Sequence, residues 1–452
     1  MEQRSTEWSI IASGEGANRI CLQYYSRFPD PIIGDKLLLL NTSPTDVNPE
    51  QTFEYLIDRN DKIKKIFEDI KRERICVFGK SPSGAGNNWK VGENEARDDF
   101  DTIRRYISNL KMRGRDVVLG ITTLGGGTGN GSLPYLVDRL KTSRTLISKE
   151  ENCYTSLGII PYDFEAPQRY FNTVCGLTRL LKYGPHSKQN SDMLLLVDNS
   201  KIEGLLNISD SKEQERYYLI NQEIIKAIRM IIFPSGMQAK STIDIADYYQ
   251  LPSNIGVYHF TPCMSLGNDP EIFELETAID AAAQNPMAPL DPKTAIMAYI
   301  IAIAPQEYVD NGKFSQENLE AKSYEWALQN MAGKWGGVMR YSSLVSSPNQ
   351  KTLDLMILLG GYSLNDILAK CLQKYYDFLE ILDLKKGETE LIDEQQPEIR
   401  AKIKTSDIEK IETDLKEYIN VSENKIEKTQ HADTDLTEKL KEFGFGKRKS
   451  NQ

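Results

Sequence analysis

Leu124-Gly125-Gly126-Gly127-Thr128-Gly129-Asn130-Gly131-Ser132 joins two segments of different character. The preceding residues, 116–123, form a short apolar run rich in β-branched side chains, which predicts a buried strand, and 133–141 place apolar residues at helical spacing. A glycine-rich turn between a strand and a helix lets backbone N–H groups close on an anion, and the helix N-terminus adds partial positive charge. Thr128 and Ser132 add hydroxyl donors. The sequence therefore predicts a nucleotide-phosphate site.

The common phosphate motifs do not account for this turn. A Walker loop requires a lysine followed by serine or threonine, and the turn contains no lysine. The dinucleotide pattern GxGxxG fits its spacing poorly. A flexible glycine loop without a ligand is the alternative. We favour the ligand, because so many glycines cost folding entropy without other benefit.

Strand-like and helical segments alternate through the first half of the chain. The strand-like segments end in glycine or polar turns and are residues 8–12, 36–40, 75–78, 154–160 and 193–197. One of the helices between them is predicted over about 93–113. This alternation predicts an α/β fold with a mostly parallel sheet covered by helices on both faces. Ligands of such sheets bind beyond the carboxyl ends of the strands, where these turns gather.

The rhythm changes after a long apolar helix predicted near 217–233. Four further strand-like segments follow, separated by helices predicted near 270–283 and 315–331, and they indicate a second, smaller α+β unit; the strand-like segments are 255–260, 294–304, 339–344 and 352–359. An amphipathic helix is predicted over 363–384 and a surface helix near 406–428. The C-terminal residues are charged and poor in apolar side chains.

Composition excludes several classes of protein. The 452 residues carry a net charge of −10, which argues against a body that wraps nucleic acid. Six cysteines are scattered without paired spacing and predict reduced core thiols in the cytoplasm. Three histidines lie far apart, so a histidine metal site is not expected. We expect neither a signal peptide nor insertion into a membrane, because no apolar run has the required length.

The motifs resemble those of the tubulin and FtsZ superfamily. Gly125–Gly131 match its GGGTG(S/T)G signature, and 164–169 follow the FtsZ pattern Phe-Glu-Gly-x-x-Arg. Residues 198–201 lie where the family has Asn-Asp-Lys, and 242–247 match Asn-x-Asp-Phe-Ala-Asp. Tyr217 and Asn221 match its aromatic and asparagine on one helical face. These matches fall in order across 8–359.

The resemblance implies binding of GTP or GDP with Mg²⁺, the metal being held through the phosphates rather than by a protein metal site. Glu165 and Arg169 are expected at the ribose and base side. Asn199 and Asn221 supply amides that suit the mixed edge of guanine, and Tyr217 a flat apolar face. The full set of expected nucleotide-binding residues is Gly14, Glu15, Gly16, Asn18, Asn41, Gly84, Gly86, Gly125, Gly126, Gly127, Thr128, Gly129, Asn130, Gly131, Glu165, Arg169, Asn199, Tyr217 and Asn221.

The same resemblance implies catalysis between subunits. Asp244 and Asp247 lie three residues apart, so they share a face of a helical turn. In the family this pair completes the nucleotide site of the next subunit and orients the attacking water. Hydrolysis then requires head-to-tail contact, and head-to-tail contacts that do not close form filaments. Two residues depart from the family pattern, Glu15 in the first glycine turn and Thr242 in the hydrolysis loop, and both are compatible with slower hydrolysis of GTP.

Within the superfamily the chain looks closest to TubZ, the plasmid- or phage-encoded tubulins that move DNA through an adaptor. The C-terminal Phe443, Phe445 and Lys447–Lys449 are then a candidate adaptor-docking segment, plain disorder being the alternative. An FtsZ-like division or cell-shape protein and a hydrolysis-impaired GTP-binding regulator are the other hypotheses. The expected organisation is a Rossmann-like GTP-binding domain (1–215), a central helix and hydrolysis loop (216–252), a second domain (253–362), C-terminal helices (363–430) and a flexible tail (431–452).

Overall fold

The computed structural model describes residues 8–27, 36–47, 74–80, 84–110, 117–142, 152–181, 190–235, 256, 258–332, 340–389 and 403–442. Its strands are β1 (Trp8–Ser13), β2 (Leu37–Asn41), β3 (Ile75–Val77), β4 (Val117–Thr123), β5 (Cys153–Ile160), β6 (Met193–Asp198), β7 (His259–Asn268), β8 (Met297–Pro305), β9 (Arg340–Ser347) and β10 (Leu353–Gly360).

The described helices lie between these strands and after the last of them. They are α1 (Glu15–Arg27), α2 (Trp89–Asp98), α3 (Phe100–Ser108), α4 (Thr128–Thr142), α5 (Pro167–Leu181), α6 (Asn199–Leu206), α7 (Glu213–Ser235), α8 (Leu275–Ala283), α9 (Gln306–Asp310), α10 (Gln316–Asn330), α11 (Asn365–Thr389) and α12 (Thr405–Glu442). Within these residues, no helix has an apolar run long enough to cross a bilayer.

The ten strands form one mixed sheet in the order β3-β2-β1-β4-β5-β6-β7-β10-β8-β9. Neighbours from β3 to β7 pair in parallel, β10 runs antiparallel to both β7 and β8, and β9 is parallel to β8. The predicted α/β fold with a mostly parallel sheet is confirmed. The strands predicted for a second unit continue the same sheet, and the division of the chain into domains stays a prediction.

Alternating side chains of the central strands fill two cores on opposite faces of the sheet. Ile10 of β1 packs in a cluster with Ile224 of α7, whereas the next residue, Ile11, packs in a cluster with Leu136 of α4. Every residue of β4 except the last is buried, as expected of a parallel strand covered on both faces. The helices therefore hold the strand ends, and the turns that follow them, in fixed positions.

Three element boundaries differ from prediction. The helix predicted over 93–113 is two helices broken at Asp99, whose carboxylate accepts the N–H of Gly79 at 3.1 Å. Strand β7 extends to Asn268, beyond the predicted end at 260. It contains Pro262, which has no N–H to donate, but β6 pairs only with the first two residues of β7, so no hydrogen bond to β6 is lost at the proline. Helix α12 continues through 431–442, which were predicted as part of the tail, because this segment is rich in helix-forming Glu, Lys and Leu.

Candidate functional site

A cavity of about 430 Å³ lies beyond the carboxyl ends of the parallel strands, within the size range of nucleotide and other small-ligand sites. Its walls come from the turns after β1, β2, β4 and β5 together with α6 and α7. The lining residues are Gly14, Glu15, Gly16, Arg19, Ile20, Asn41, Asp46, Gly84, Ala85, Gly86, Asn87, Thr123, Gly125, Gly126, Gly127, Thr128, Gly129, Ile159, Pro161, Glu165, Arg169, Asn199, Tyr217 and Asn221.

Two glycine turns pack backbone against backbone at the base of this cavity. Gly14 has φ +86°, a conformation that side chains disfavour, and its N–H donates to Leu40 O at 3.0 Å. A Cβ on Gly129 would lie 2.1 Å from Ser13 O. The turn after β1 and the start of α4 thus approach as closely as they do because both are glycine. The first N–H groups of α4 lack helical acceptors and are available to an anion.

The wall after β2 supplies polar side chains. Asn41 is buried, and its Oδ1 accepts the backbone N–H groups of Thr42 at 2.8 Å and Ser43 at 3.3 Å. Asn41 Nδ2 has no hydrogen-bond partner among the described residues. Thr42 Oγ1 lies 2.6 Å from Thr128 Oγ1, which joins this wall to the start of α4. An orphaned amide donor next to the glycine turns suits an anionic ligand.

The turn between β5 and α5 brings Glu165 and Arg169 together. Arg169 Nε lies 3.0 Å from Glu165 Oε2, and Glu165 Oε1 accepts the N–H of Tyr162 at 2.9 Å. The acid is therefore held by its own turn and keeps the guanidinium at the cavity wall. Both residues line the cavity.

Asn199, Tyr217 and Asn221 meet on the opposite wall. Asn199 is the first residue of α6, which is capped by the Asp198 carboxylate through Lys201 N at 3.1 Å. Tyr217 lies on α7 with its ring edge-on to Tyr162, the centroids 5.1 Å apart. Two amides and an aromatic ring thus converge from α6 and α7, although Asn199 and Tyr217 are 18 positions apart in the chain.

The side-chain charges of the cavity nearly balance. Three carboxylates, Glu15, Asp46 and Glu165, face two guanidiniums, Arg19 and Arg169, and Glu15 is ion-paired with Arg19. No described lysine lines the cavity. Backbone N–H groups and the two guanidiniums are therefore among the donors that the described wall offers to an anion. The described residues contain no cluster of three or more His, Cys, Asp or Glu placed to hold a metal.

Three predicted ligands lie behind the cavity wall instead of lining it. Asn18 Nδ2 donates to Leu40 O at 3.3 Å and so holds the end of β2. Asn130 Nδ2 donates to Leu124 O at 2.7 Å and to Asn172 O at 2.6 Å, which closes the glycine turn from the protein side. A Cβ on Gly131 would lie 2.2 Å from Trp89 O, so this glycine permits contact with α2. These residues shape the turns and do not face the cavity.

Several lining residues were not predicted from the sequence. Arg19 lies one helical turn after Glu15, and Thr123 is the last residue of β4, immediately before the glycine turn. Position in the strand was thus a usable signal for Thr123. Asp46 and Asn87 lie in irregular segments whose direction no periodic pattern indicates. Asp244, Asp247 and Thr242, together with the C-terminal 443–452, lie outside the described residues.

Comparisons with known proteins agree with this geometry. No family model matches the chain. It is 24% identical over 241 residues to FtsZ 1 of Methanocaldococcus jannaschii, a match covering 52% of this chain and 59% of that protein. It is 29% identical over 168 residues to FtsZ of Aquifex aeolicus, covering 36% and 39%. The chain thus spans less than two thirds of the length of these curated relatives.

Solved structures match over more of the chain. A GDP-bound monomer of CetZ1 from Haloferax volcanii has a TM-score of 0.63 at 18% identity, covering 83% of this chain and all of that one. The fold is that of FtsZ and CetZ. A GTPγS-bound protofilament of CetZ2 from the same organism has a TM-score of 0.61 at 15% identity, covering 84% and 100%. Together with the FtsZ relatives, these matches support the tubulin/FtsZ superfamily.

Proposed function

We propose that this chain is a GTPase that assembles head to tail into filaments and hydrolyses GTP at the contact between subunits. One observation carries the proposal. Residues predicted separately for phosphate, for ribose and for base line a single cavity, namely Gly125–Gly129, the pair Glu165 and Arg169, and the trio Asn199, Tyr217 and Asn221.

Guanine is the base that suits the proposed base wall, which consists of Asn199, Tyr217 and Asn221. Its Watson–Crick edge presents both donors and an acceptor, and an asparagine amide offers both functions. Asn199 and Asn221 provide two such amides, while Tyr217 offers an apolar ring face against the base. The GDP and GTPγS in the CetZ structures are guanine nucleotides and support the same choice.

Hydrolysis is proposed to need a second subunit. Water attacks the γ-phosphorus, the bond from that phosphorus to the β–γ bridging oxygen breaks, and the products are GDP and inorganic phosphate. The described wall contributes Glu15, Asp46 and Glu165 as carboxylates, and two of them are already ion-paired within their own subunit. Asp244 and Asp247 of the neighbouring subunit are proposed to orient the water. The FtsZ dimer and CetZ2 protofilament among the structural matches support self-association.

The cavity chemistry fits a magnesium ion carried by the nucleotide. Mg²⁺ prefers oxygen ligands and keeps several waters, so phosphate oxygens and one wall carboxylate suffice. Glu15 and Asp46 are the candidate carboxylates. The bound ion offsets the phosphate charge that two guanidiniums leave uncompensated.

GTP-dependent assembly with phosphate release tests this proposal. The purified chain is mixed with GTP, with ATP and with a non-hydrolysable GTP analogue, and light scattering and free phosphate are followed together. We expect assembly with GTP and with the analogue, phosphate release with GTP alone, and neither with ATP. Asp247→Ala should assemble with GTP but release phosphate at least about 10²-fold more slowly, the range expected for loss of a water-positioning group.

Asp101→Ala is the matched control, because Asp101 is an exposed aspartate on α3 whose pair with Arg104 spans 3.4 Å. It should retain wild-type assembly and phosphate release. Absence of nucleotide-dependent assembly in the wild-type chain, over a range of concentrations, contradicts the polymer. Equal loss of phosphate release in both variants contradicts the role of Asp247.

We propose a TubZ-like role in segregating plasmid or phage DNA, in the cytoplasm, where the six buried free cysteines stay reduced. An adaptor bound to 443–452 would connect the filament to DNA. FtsZ-like division or a cell-shape role is the second candidate, and the FtsZ relatives favour it. Capture with a 443–452 peptide separates these roles: a DNA-binding protein supports segregation, and a membrane-associated protein supports division.

A GTP-binding regulator with impaired hydrolysis is favoured by one specific feature. The Glu15 carboxylate lines the cavity at the first glycine turn, where it repels phosphates unless a cation lies between them. Tight retention of GTP without phosphate release, at concentrations where subunits meet, supports this alternative. In that case Glu15→Gln should raise GTP affinity when magnesium is withheld.

A further inference from the structure

A lysine on helix α11 contacts two carboxylates behind the base wall and behind the proposed ribose wall, which consists of Glu165 and Arg169. Lys370 Nζ lies 2.7 Å from Asp198 Oδ2 and 2.5 Å from Asp163 Oδ1. The Lys370 side chain is 18% exposed and that of Asp198 only 1%, whereas Asp163 is at the surface. One ammonium group therefore bridges two segments that are separate in sequence and that the glycine motif does not involve.

Each carboxylate stands next to a residue proposed to contact the nucleotide. Asp198 caps α6 and immediately precedes Asn199, so its position sets where the Asn199 amide points. Asp163 lies in the turn that carries Glu165, two residues before it. Asp163 N also donates to Ser200 Oγ at 2.8 Å, which ties this turn to α6 a second time. Lys370 thus fixes the base wall and the ribose wall relative to one another.

A second lysine of the same helix secures the same turn. Lys374 Nζ donates to the backbone oxygens of Asp163 and, at 3.4 Å, of Glu165, and it lies 4.3 Å from the centre of the Tyr170 ring. Tyr170 OH in turn donates to Tyr162 O at 2.8 Å. The turn between β5 and α5 is therefore held from behind by α11 and α5 together, on the side away from the cavity.

The buried charge makes Lys370 more than a packing residue. Burial raises the pKa of the Asp198 carboxyl, and the ammonium of Lys370 opposes that rise. Burial also lowers the pKa of Lys370, but Asp198 and Asp163 outweigh this effect and leave it raised. Without the lysine, Asp198 is a buried carboxylate whose remaining side-chain hydrogen bond, among the residues that the structure describes, is to Lys201 N, and its hold on the start of α6 weakens.

We propose that Lys370 is a positioning residue for guanine recognition, acting through Asp198 on Asn199 and through Asp163 on the turn that carries Glu165. This inference rests on the proposed function. It adds that base selectivity is set partly by α11, a helix that contributes no residue to the cavity lining. Lys370 Nζ contacts Asp163 and Asp198 and neither glycine turn among the described residues, so we expect the affinity for polyphosphate to change little without it.

Selectivity between GTP and ITP measures this role, because ITP lacks only the 2-amino group of guanine. Equilibrium binding of both nucleotides is measured with the full chain, and inorganic tripolyphosphate is measured as a competitor. Lys370→Met should weaken GTP binding about tenfold or more, in line with the cost of a misplaced contact, and weaken ITP binding less. The GTP/ITP preference should therefore fall, while tripolyphosphate competes within about twofold of wild type. Lys370→Arg should retain most of the preference.

The chain offers a matched control on the same strand. Lys141 Nζ lies 2.6 Å from Asp192 Oδ1, with side-chain exposures of 19% and 2%, close to those of the Lys370–Asp198 pair. Asp192 precedes β6 and Asp198 ends it, so the two pairs lie at opposite ends of one strand. Lys141→Met should destabilise the fold to a similar degree without changing the GTP/ITP preference.

Asp163→Asn keeps the test decisive if Lys370→Met does not fold, because Asp163 is exposed and its loss leaves no buried charge unpaired. It should lower the GTP/ITP preference by a smaller factor, about threefold. If the wild-type chain binds GTP, an unchanged GTP/ITP preference in Lys370→Met or Asp163→Asn overturns the inference. An equal fall of this preference in Lys141→Met overturns it as well. A wild-type chain that binds no GTP overturns the proposed function itself.

Discussion

Pro134 removes a hydrogen bond from the helix that begins at the phosphate turn, and Arg179 replaces it. In an α-helix the N–H of residue 134 donates to the carbonyl of residue 130, but proline has no N–H. Arg179 Nη1 donates to Asn130 O at 3.0 Å and Arg179 Nη2 to Gly131 O at 3.0 Å. The guanidinium also lies 2.9 Å from Glu93 Oε2. We predict that Arg179→Met destabilises the fold, because it removes the donor to Asn130 O and a second donor to Gly131 O.

The magnitude follows from the bonds that are lost. A hydrogen bond from a charged donor contributes about 1.5–3 kcal/mol, and two are removed. Glu93 retains its ion pair with Arg97, and methionine still packs against Trp89, on whose ring the guanidinium now stacks at 4.6 Å. The lower end of the range therefore applies, about 3 kcal/mol, which is roughly a hundredfold shift in the unfolding equilibrium.

Urea unfolding of four proteins isolates the bond to Asn130 O. Pro134→Ala supplies an N–H that can reach Asn130 O, and this donor matters most when Arg179 is absent. The substitution should therefore stabilise the Arg179→Met protein by about 1 kcal/mol more than it stabilises wild type. Effects that add within about 0.5 kcal/mol refute the idea that Arg179 stands in for the missing N–H.

Three further outcomes are expected. Asn41→Asp keeps the oxygen that accepts Thr42 N but replaces the unpaired Nδ2 donor by a negatively charged oxygen. GTP affinity, measured in a binding titration, should therefore fall about tenfold to a hundredfold. Unchanged affinity contradicts a role for Asn41 next to the phosphates. Gly129→Ala should lower the urea midpoint by the equivalent of about 1–3 kcal/mol, because its Cβ meets Ser13 O, whereas Gly204→Ala has open space and should not. Burial lowers the pKa of His259 in the folded chain to about 4, whereas in the unfolded chain this pKa is about 6.5. On acidification the unfolded chain therefore takes up the proton first and is stabilised relative to the folded chain. Stability should fall by up to about 3 kcal/mol between about pH 6.5 and 4, and His259→Gln should flatten that slope.

Local chemistry explains how much of the site was predictable from the sequence. The strand, glycine turn and helix around Gly125–Gly129 follow from apolar periodicity and from the conformational freedom of glycine, which act over a few residues. The alternation of strands and helices predicted the parallel sheet in the same way, and the sheet rule then placed the site at the carboxyl ends of its strands. The ordered motifs added Glu165, Asn199, Tyr217 and Asn221, all of which line the cavity.

Contacts between distant segments lay beyond that local chemistry. Asn18, Asn130 and Gly131 carry the same motif signal as the residues that face the cavity, and only packing against β2, α5 and α2 turns them to the protein side. No pattern pairs Arg179 with the carbonyl that Pro134 leaves bare, since the partners lie 49 positions apart. Lys370 lies 172 positions from Asp198. The sequence by itself was sufficient to propose the type of ligand and the strand ends around its site, because short-range propensities decide those. Only the tertiary structure decided which side chains face the cavity and which support its wall. It brought separate segments together, and each buried charge and carbonyl then needed a partner.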